Sequence, residues 1–365
     1  MNITERLIMA RNESGLTQQQ AGLRCGISDS RISDFEKGQS EPRLGQLAKL
    51  AEVYHVALSY FFSEGVPPTQ EVLWRNKPTD EKEICAEFLQ LCRQYRQLEI
   101  WTRELQEKKL PFYENTQKSM GYPHVQELAN DTRKILGLGD WPGESLHVVL
   151  EEEFGIKIFH LDMGVTGTAA CAVSEEFGDA ILLNKQCKSW RRNHDLAHEL
   201  FHLLTWKYFR HNEGVLEPTE QEEKFATCFA GNLLLPTDIV KTAITKAAGM
   251  EGKIPFDQLD RIARKFCVSL ESLLWRMHFL FNWKEEDTKC YIDKAASYVK
   301  TAPREDQDTP AKFPKRYRAL AIKALQDGEI SLGRFSKIME ISRTASESYL
   351  SKGELDYAEV PTTFA

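Results

Sequence analysis

Asp195-Leu-Ala-His198-Glu199-Leu-Phe-His202-Leu-Leu204 contains no helix breaker and reads as a single α-helix. Within it His198 and His202 stand four residues apart, and positions i and i+4 share one face of a helix. Both imidazoles can therefore be aimed at one metal ion. Glu199 then sits beside the open coordination position as a candidate general base. A catalytic zinc site needs three protein ligands and an open place for water, so a third ligand has to come from elsewhere in the chain.

The segment Pro218-Thr-Glu-Gln-Glu222 opens a further helix with the spacing of a capping box. Thr219 is at the cap, and Glu222 is expected to turn back on the helix N-terminus. That leaves Glu223. Glu223, Ala226 and Ala230 fall on one helical face, and the two alanines let this helix pack closely against that of His198, which would bring the Glu223 carboxylate to the metal. The competing reading is that Glu220, Glu222 and Glu223 are acidic first-turn residues favoured by the helix dipole. For Glu220 and Glu222 that reading is adopted.

Together the two segments resemble the ImmA/IrrE family of zinc metallopeptidases. The family pattern is His-Glu-x-x-His, then Glu-x-x-Ala-x-x-Phe-Ala and a Leu-Leu-x-Pro-like ending. Here the second part reads Glu223-Lys-Phe-Ala226-Thr-Cys-Phe229-Ala230, followed by Leu233-Leu-Leu-Pro236. The resemblance covers roughly residues 120 to 285. It implies Zn2+ held by His198, His202 and Glu223, with Glu199 as the catalytic base that takes a proton from the attacking water. Two positions depart from the pattern. His194, one turn before His198, replaces an apolar aromatic residue and is read as an exposed surface histidine rather than a proton carrier. Phe201 replaces a small residue and is expected to narrow the cleft. Tyr208, His211 and Arg276 are the candidates for a second oxyanion donor, with no spacing argument to choose among them.

With 365 residues the chain is too long for one ordinary core. Four units are expected: a helical head over residues 1–66, a linker and long helix over 67–120, a metallopeptidase-like domain over 121–300 and a C-terminal helical unit over 301–365. The fold class is α+β. Eight cysteines without a Cys-x-x-Cys pair indicate neither a disulfide framework nor a thiolate zinc finger. No apolar run approaches a membrane span and the N-terminus lacks a signal-peptide stretch, so a cytoplasmic protein with no membrane partner is expected.

Asp80 to Lys109 forms one long helical pattern. Its apolar positions Ile84, Phe88, Leu91, Tyr95, Leu98 and Leu105 step by four and three, with Thr102 in the remaining slot. An arm packed on its own domain and an intermolecular coiled coil both satisfy that spacing. Runs at 155–160, 168–174 and 180–184 are strand-like and predict a small antiparallel sheet with Phe177-Gly-Asp179 as a hairpin turn. The strand ending in Asn184 is then the edge on which an extended substrate adds. Residues 330–342 echo the length and pattern of residues 16–28, which suits either a second helix-turn-helix-like bundle or two ordinary short helices.

Leu16-Thr-Gln-Gln-Gln-Ala-Gly-Leu-Arg-Cys-Gly-Ile-Ser28, followed by Asp-Ser-Arg-Ile-Ser-Asp-Phe-Glu-Lys-Gly38, resembles the Xre/Cro-type helix-turn-helix of phage repressors. Thr17 and Ser28 cap the two helices, Gly26 makes the turn, and Ala21, Ile27, Ile32 and Phe35 form the buried contact. The resemblance implies a DNA operator as partner. Asp29, Ser30, Arg31 and Asp34 would face the bases, with Gln18 at a phosphate. Residues 1–66 nevertheless carry seven Lys/Arg against eight Asp/Glu, and the chain as a whole has a net charge of −7. Phosphate neutralisation normally supplies most of the affinity, so DNA binding calls for a homodimer, or else the head binds protein. Two functions follow from the resemblances. One is a regulator fused to a zinc peptidase that cuts a repressor, antitoxin or toxin-like protein. The other is a non-enzymatic transcription factor or antitoxin that uses the peptidase fold as a sensor or partner-binding domain.

Overall fold

The structure, a computed structural model, describes residues 2–63, 72–113, 119–210, 217–249, 252–301 and 309–352. Four helices and a short 3-10 turn (Leu58–Phe62) make the head: α1 (Ile3–Glu13), α2 (Gln18–Cys25), α3 (Asp29–Glu36) and α4 (Leu44–Val53). Their apolar faces meet in a separate small core of Leu7, Ala21, Ile32, Phe35, Leu50 and neighbours. Thr17 accepts from the backbone N–H of Gln20, closing a capping box at α2. Gly26 ends that helix in the left-handed region (φ 66°), where a side chain would be strained. Gly22 is required for a different reason. A Cβ there would lie 2.5 Å from the Ile27 carbonyl oxygen, so only glycine lets the turn close on α2. Ser28 stands at the start of α3, but its side chain makes no capping bond.

The body begins with β1 (Val72–Trp74) and α5 (Glu81–Thr102), followed by α6 (Tyr122–Ile135) and α7 (Pro142–Glu152). The remaining strands are β2 (Lys157–Leu161), β3 (Ala169–Ser174) and β4 (Gly178–Asn184). Next come α8 (Ser189–Phe209), α9 (Glu220–Leu234), α10 (Thr237–Ala248), α11 (Phe256–Lys265), α12 (Leu270–Phe281) and α13 (Glu285–Thr301). The last unit is α14 (Lys315–Gln326), α15 (Leu332–Ile338) and α16 (Arg343–Lys352). No helix among the described residues is long and apolar enough to cross a membrane.

The sheet differs from expectation. It has four strands in the order β1-β3-β4-β2, and it is mixed: β3 pairs antiparallel with β1 and β4, whereas β2 runs parallel to β4. The hairpin turn lies just before Gly178 rather than on Phe177–Asp179, because Gly178 already pairs with Ser174. β4 is therefore an inner strand and not an edge. Both its sides are hydrogen-bonded, which leaves no row of free backbone groups for a substrate to join.

Both faces of the sheet are buried, so the side chains alternate between two cores rather than between core and water. Leu73, Ile158, Cys171, Ile181 and Leu183 share a core with α8 and α9. Trp74, Phe159, Ala170, Ala172 and Leu182 face α5 and the C-terminal helices. The apolar seam of α5 is spent on this second core. Phe88, Leu91, Tyr95 and Leu98 are all buried, and Phe88 and Tyr95 meet Phe159 edge-on at 6.5 and 6.0 Å. Of the two readings of the heptad spacing, the intramolecular one describes the structure. The helix stops at Arg103, in the left-handed region (φ 58°), so Leu105 lies beyond it and is exposed.

α14 completes that core. Tyr317 is fully buried with its ring 5.3 Å from Tyr95 and 5.8 Å from Phe159. Arg316 donates to Glu99 at 2.6 Å, and the buried Lys157 of β2 stands 3.3 Å from the same carboxylate. The echo of residues 16–28 in 330–342 has a structural counterpart. Ser331 caps α15 through the N–H of Arg334, and Glu340 takes the left-handed place (φ 53°) before α16.

Candidate metal centre and the start of α3

α8 runs unbroken for 21 residues, and every side chain from Asp195 to Thr205 is buried. α9 packs across it through Ala226 and Ala230, both fully buried and small enough for a close approach. This crossing brings His198, His202 and Glu223 together, with one ligand atom from each lying within 4.8 Å of the others. His198 Nε2 is 3.1 Å from Glu223 Oε2 and 3.3 Å from His202 Nε2, and His202 Nε2 is 3.4 Å from Glu223 Oε1.

Glu222 departs from the capping role. The cap is made by Thr219, which accepts from the Glu222 N–H, but the Glu222 carboxylate reaches His202 Nδ1 at 2.8 Å and accepts from Arg210 at 2.9 Å. Bonding His202 through Nδ1 fixes the tautomer and turns Nε2 towards Glu223 and His198. Burial works against a charged His202, yet its bonds to Glu222 and Glu223 push its pKa up to about 9. Against the same burial, both histidines hold Glu223 well below the usual carboxylate range. This is an electrostatic environment that favours a cation between the three donors. His198 differs: burial holds it down to about 3, and its Nδ1 has no hydrogen-bond partner.

Glu199 is 1 % exposed and follows His198 directly. Burial raises its pKa to about 7, its carboxyl is within hydrogen-bonding reach of the Cys171 thiol of β3, and its Oε1 has no partner. The donor set of two imidazoles and a carboxylate, with an unbonded buried carboxylate oxygen beside it, fits a zinc ion. Replacing Glu222 by alanine, with the three ligands intact, is expected to weaken zinc binding by about 10–100-fold. Competition against a chelating dye would measure it, and an unchanged affinity would remove Glu222 from the site.

Two further groups had no signal in the local spacing. Asp195, fully buried one turn before His198, is bonded by Arg75, the residue after β1, and by Arg191 at 3.1 Å. Arg75 also donates its backbone N–H to Ala169, which sews the end of β1 to β3. The edge of β3 is thus occupied by a strand from the linker, and its anchor reaches α8.

His194 is not a surface residue. It is largely buried, 3.4 Å from an Arg75 nitrogen, and it lines a cleft of about 930 Å³ that also takes in Glu223. Burial and the Arg75 charge hold its pKa down to about 3. Leu234, Val268 and Trp275 make the cleft walls apolar. Phe201 does not narrow this cleft. It points into the core, fully buried and 5.6 Å from Phe229. Of the three oxyanion-donor candidates, Arg276 lines the cleft while donating to the Leu235 carbonyl and the Thr237 hydroxyl, both at 2.9 Å. Tyr208 accepts from the Met120 N–H, and His211 lies outside the described residues.

In the head, Asp29, Ser30 and Arg31 are exposed at the start of α3, and Asp34 is half-buried. The Asp29 carboxylate accepts from the Ser30 N–H, and Arg31 folds back over the Phe35 ring. Gln18 donates to Glu36, which is itself paired with Arg11 at 2.6 Å. Gln18, Asp29 and Ser30 line one shallow groove between the starts of α2 and α3.

Comparison with known proteins divides the chain in the same way. Residues 7–61 match the helix-turn-helix family model, and residues 151–278 match the model of the IrrE N-terminal-like domain, an M78 peptidase family. The chain therefore joins an Xre-type helix-turn-helix domain to an IrrE-like peptidase-family domain. Its head is 38 % identical over 66 residues to the HTH-type transcriptional regulator PuuR of Escherichia coli (strain K12), covering 18 % of this chain and 36 % of that protein. It is 30 % identical over 64 residues to the HTH-type transcriptional regulator ImmR of Bacillus subtilis (strain 168), covering 18 % of this chain and 50 % of that one. These matches span half or less of the curated relatives' length.

Proposed function

We propose that the protein is an operator-binding transcriptional regulator whose body is a zinc-dependent peptidase of the repressor-cleaving kind. The observation that carries the reading is the convergence of His198, His202 and Glu223 beside the unpartnered Glu199 oxygen, at one end of an apolar cleft. Zinc held by these three residues would supply Lewis acidity to a peptide carbonyl and a water of lowered pKa. Glu199 accepts the proton of the attacking water and returns it to the leaving amine, a task suited to a carboxyl whose pKa stands near neutrality. Glu222 and Arg210 hold His202 in the tautomer that presents Nε2. The cleft, with its apolar walls, takes substrate side chains next to the scissile bond. The substrate class is a repressor, antitoxin or toxin-like protein.

The exposed residues Asp29, Ser30 and Arg31 lead α3 into the major groove, with Gln18 at the backbone and a homodimer doubling the contact. Likeness to two HTH-type transcriptional regulators supports this half of the reading.

A second reading is favoured by β1. Because this linker strand covers the β3 edge beside Glu199, an extended peptide could pair there only by displacing it. A non-enzymatic transcription factor or antitoxin would keep the site in that covered form. Zinc per chain, measured by elemental analysis of the wild type beside His198→Ala and Glu223→Ala, tests the metal centre. Near one zinc, falling sharply in both variants, supports the peptidase. Little zinc even after metal is added would leave the binding scaffold.

A further inference from the structure

A second cavity, of about 550 Å³, shares no lining residue with the metal cleft. It lies at the N-terminus of α8, where Ser189, Trp190 and Arg192 form part of its wall. From there to His198 the helix rises roughly 13 Å. α8 begins with no side-chain cap and no acid in its first turn, so the helix itself supplies no counter-charge to the positive end of its dipole.

The charged lining is entirely basic. Arg192, Arg264, Lys315 and Arg318 line the cavity together with His147 and His160, and no aspartate or glutamate does. Two carboxylates stand behind it: Asp260 pairs with Arg264 at 2.7 Å, and Glu151 lies 3.9 Å from His147. Lys315 and Arg318, both exposed at the rim, form no ion pair among the described residues.

His160 distinguishes this place from an ordinary basic surface. It is 8 % exposed, on the same face of β2 as Ile158, and stacks on His147 with centroids 5.7 Å apart. Neither ring nitrogen has a hydrogen-bond partner among the described residues, yet the side chain lines the cavity. Burial and the charges of His147 and Arg192 hold its pKa down to about 3, so near neutrality the ring carries one donor and one acceptor. A ring on a largely buried side chain that opens on a cavity is placed to bond a ligand atom there.

We propose that this cavity binds a phosphorylated small molecule of the mononucleotide class. Its phosphoryl group would sit at the α8 N-terminus among Arg192, Lys315 and Arg318, and its planar ring would lie against Trp190 and Phe313 within reach of His160. The dipole and the basic rim select the anion. The stacked imidazoles and two aromatic walls select a flat, hydrogen-bonding ring, and the volume is that of an ordinary small-molecule site. The assignment stands apart from the peptidase reading, because no residue of the metal cleft enters it.

The test is calorimetric titration of the full chain with AMP, adenosine and inorganic phosphate, repeated on Lys315→Glu/Arg318→Glu and on His160→Phe. The first variant changes only exposed side chains, so the fold is retained. AMP is expected to bind saturably and about tenfold or more tighter than phosphate or adenosine. The double variant should weaken AMP by about tenfold or more. His160→Phe should weaken AMP while leaving phosphate unchanged. No saturable binding of AMP, or binding undiminished in the double variant, overturns the site. Phosphate binding as tightly as AMP overturns the nucleotide assignment.

Discussion

Glu199→Gln is expected to lower kcat/KM for zinc-dependent peptide hydrolysis by about 10²–10⁴-fold, the range a positioned general base contributes. Its zinc content should match that of the wild type. The substitution keeps the shape of the side chain and removes only its capacity to take a proton. Glu199 is 1 % exposed, one of its oxygens has no partner, and burial raises its pKa to about 7. The carboxyl is thus held near neutrality with the Cys171 thiol in hydrogen-bonding reach and its Oε1 left without a partner. Functional sites are where such unpaired, perturbed groups concentrate. The comparison to make is kcat/KM with a cleavable partner protein, alongside zinc content and melting temperature. Equal hydrolysis by the two proteins would remove Glu199 as the base. A variant that lost zinc as well would show that the carboxyl serves the ligand cluster instead.

What the sequence reveals of this site depends on how local the signal is. His198 and His202 are legible because one helical turn relates them, and Glu223 because helical phase puts it on the face of two alanines. Glu222 is not, since a Thr-x-x-Glu pattern is satisfied equally by a cap and by a residue that reaches His202 from another helix. Only the crossing of α8 and α9 separates the two. Arg75 lies 120 residues from Asp195, after a three-residue strand, and no periodicity can join them. The sheet shows the same limit. The strand runs at 155–160, 168–174 and 180–184 are evident from alternation and turn residues, but the parallel pairing of β2 with β4 arises because β3 lies outside β4, next to β1. Strand order is set by which apolar faces the helices cover, and that information is spread over α5, α8 and α14 together. His194 and Phe201 differ from expectation for a related reason: a position within a helix fixes the face, not what the neighbouring elements put there.

Truncation after Thr301 is expected to leave a chain that does not fold stably, and Tyr317→Ala in the full chain should cost about 3–5 kcal/mol, the range for removing a large buried ring. The proline-containing stretch before the C-terminal helices suggests a detachable substrate-recruiting module. Their packing argues otherwise. Tyr317 is fully buried, stacks on Phe313 at 5.1 Å, and meets Tyr95 and Phe159 edge-on. Leu320, Ala321, Ala324 and Phe335 join the same core. Without them the outer face of the sheet and the seam of α5 would be opened to water. Arg316 would be lost from Glu99, leaving Lys157 as the buried cation on that carboxylate. Breaking a buried charge cluster by removing one member is strongly destabilising. Denaturant unfolding of the wild type, Tyr317→Ala and the truncated chain measures the effect. A truncated chain with the wild-type midpoint would mean that α5 and the sheet form a self-sufficient core. A large loss would mean that any deletion used to assign a role to this unit reports on the peptidase-like fold as well.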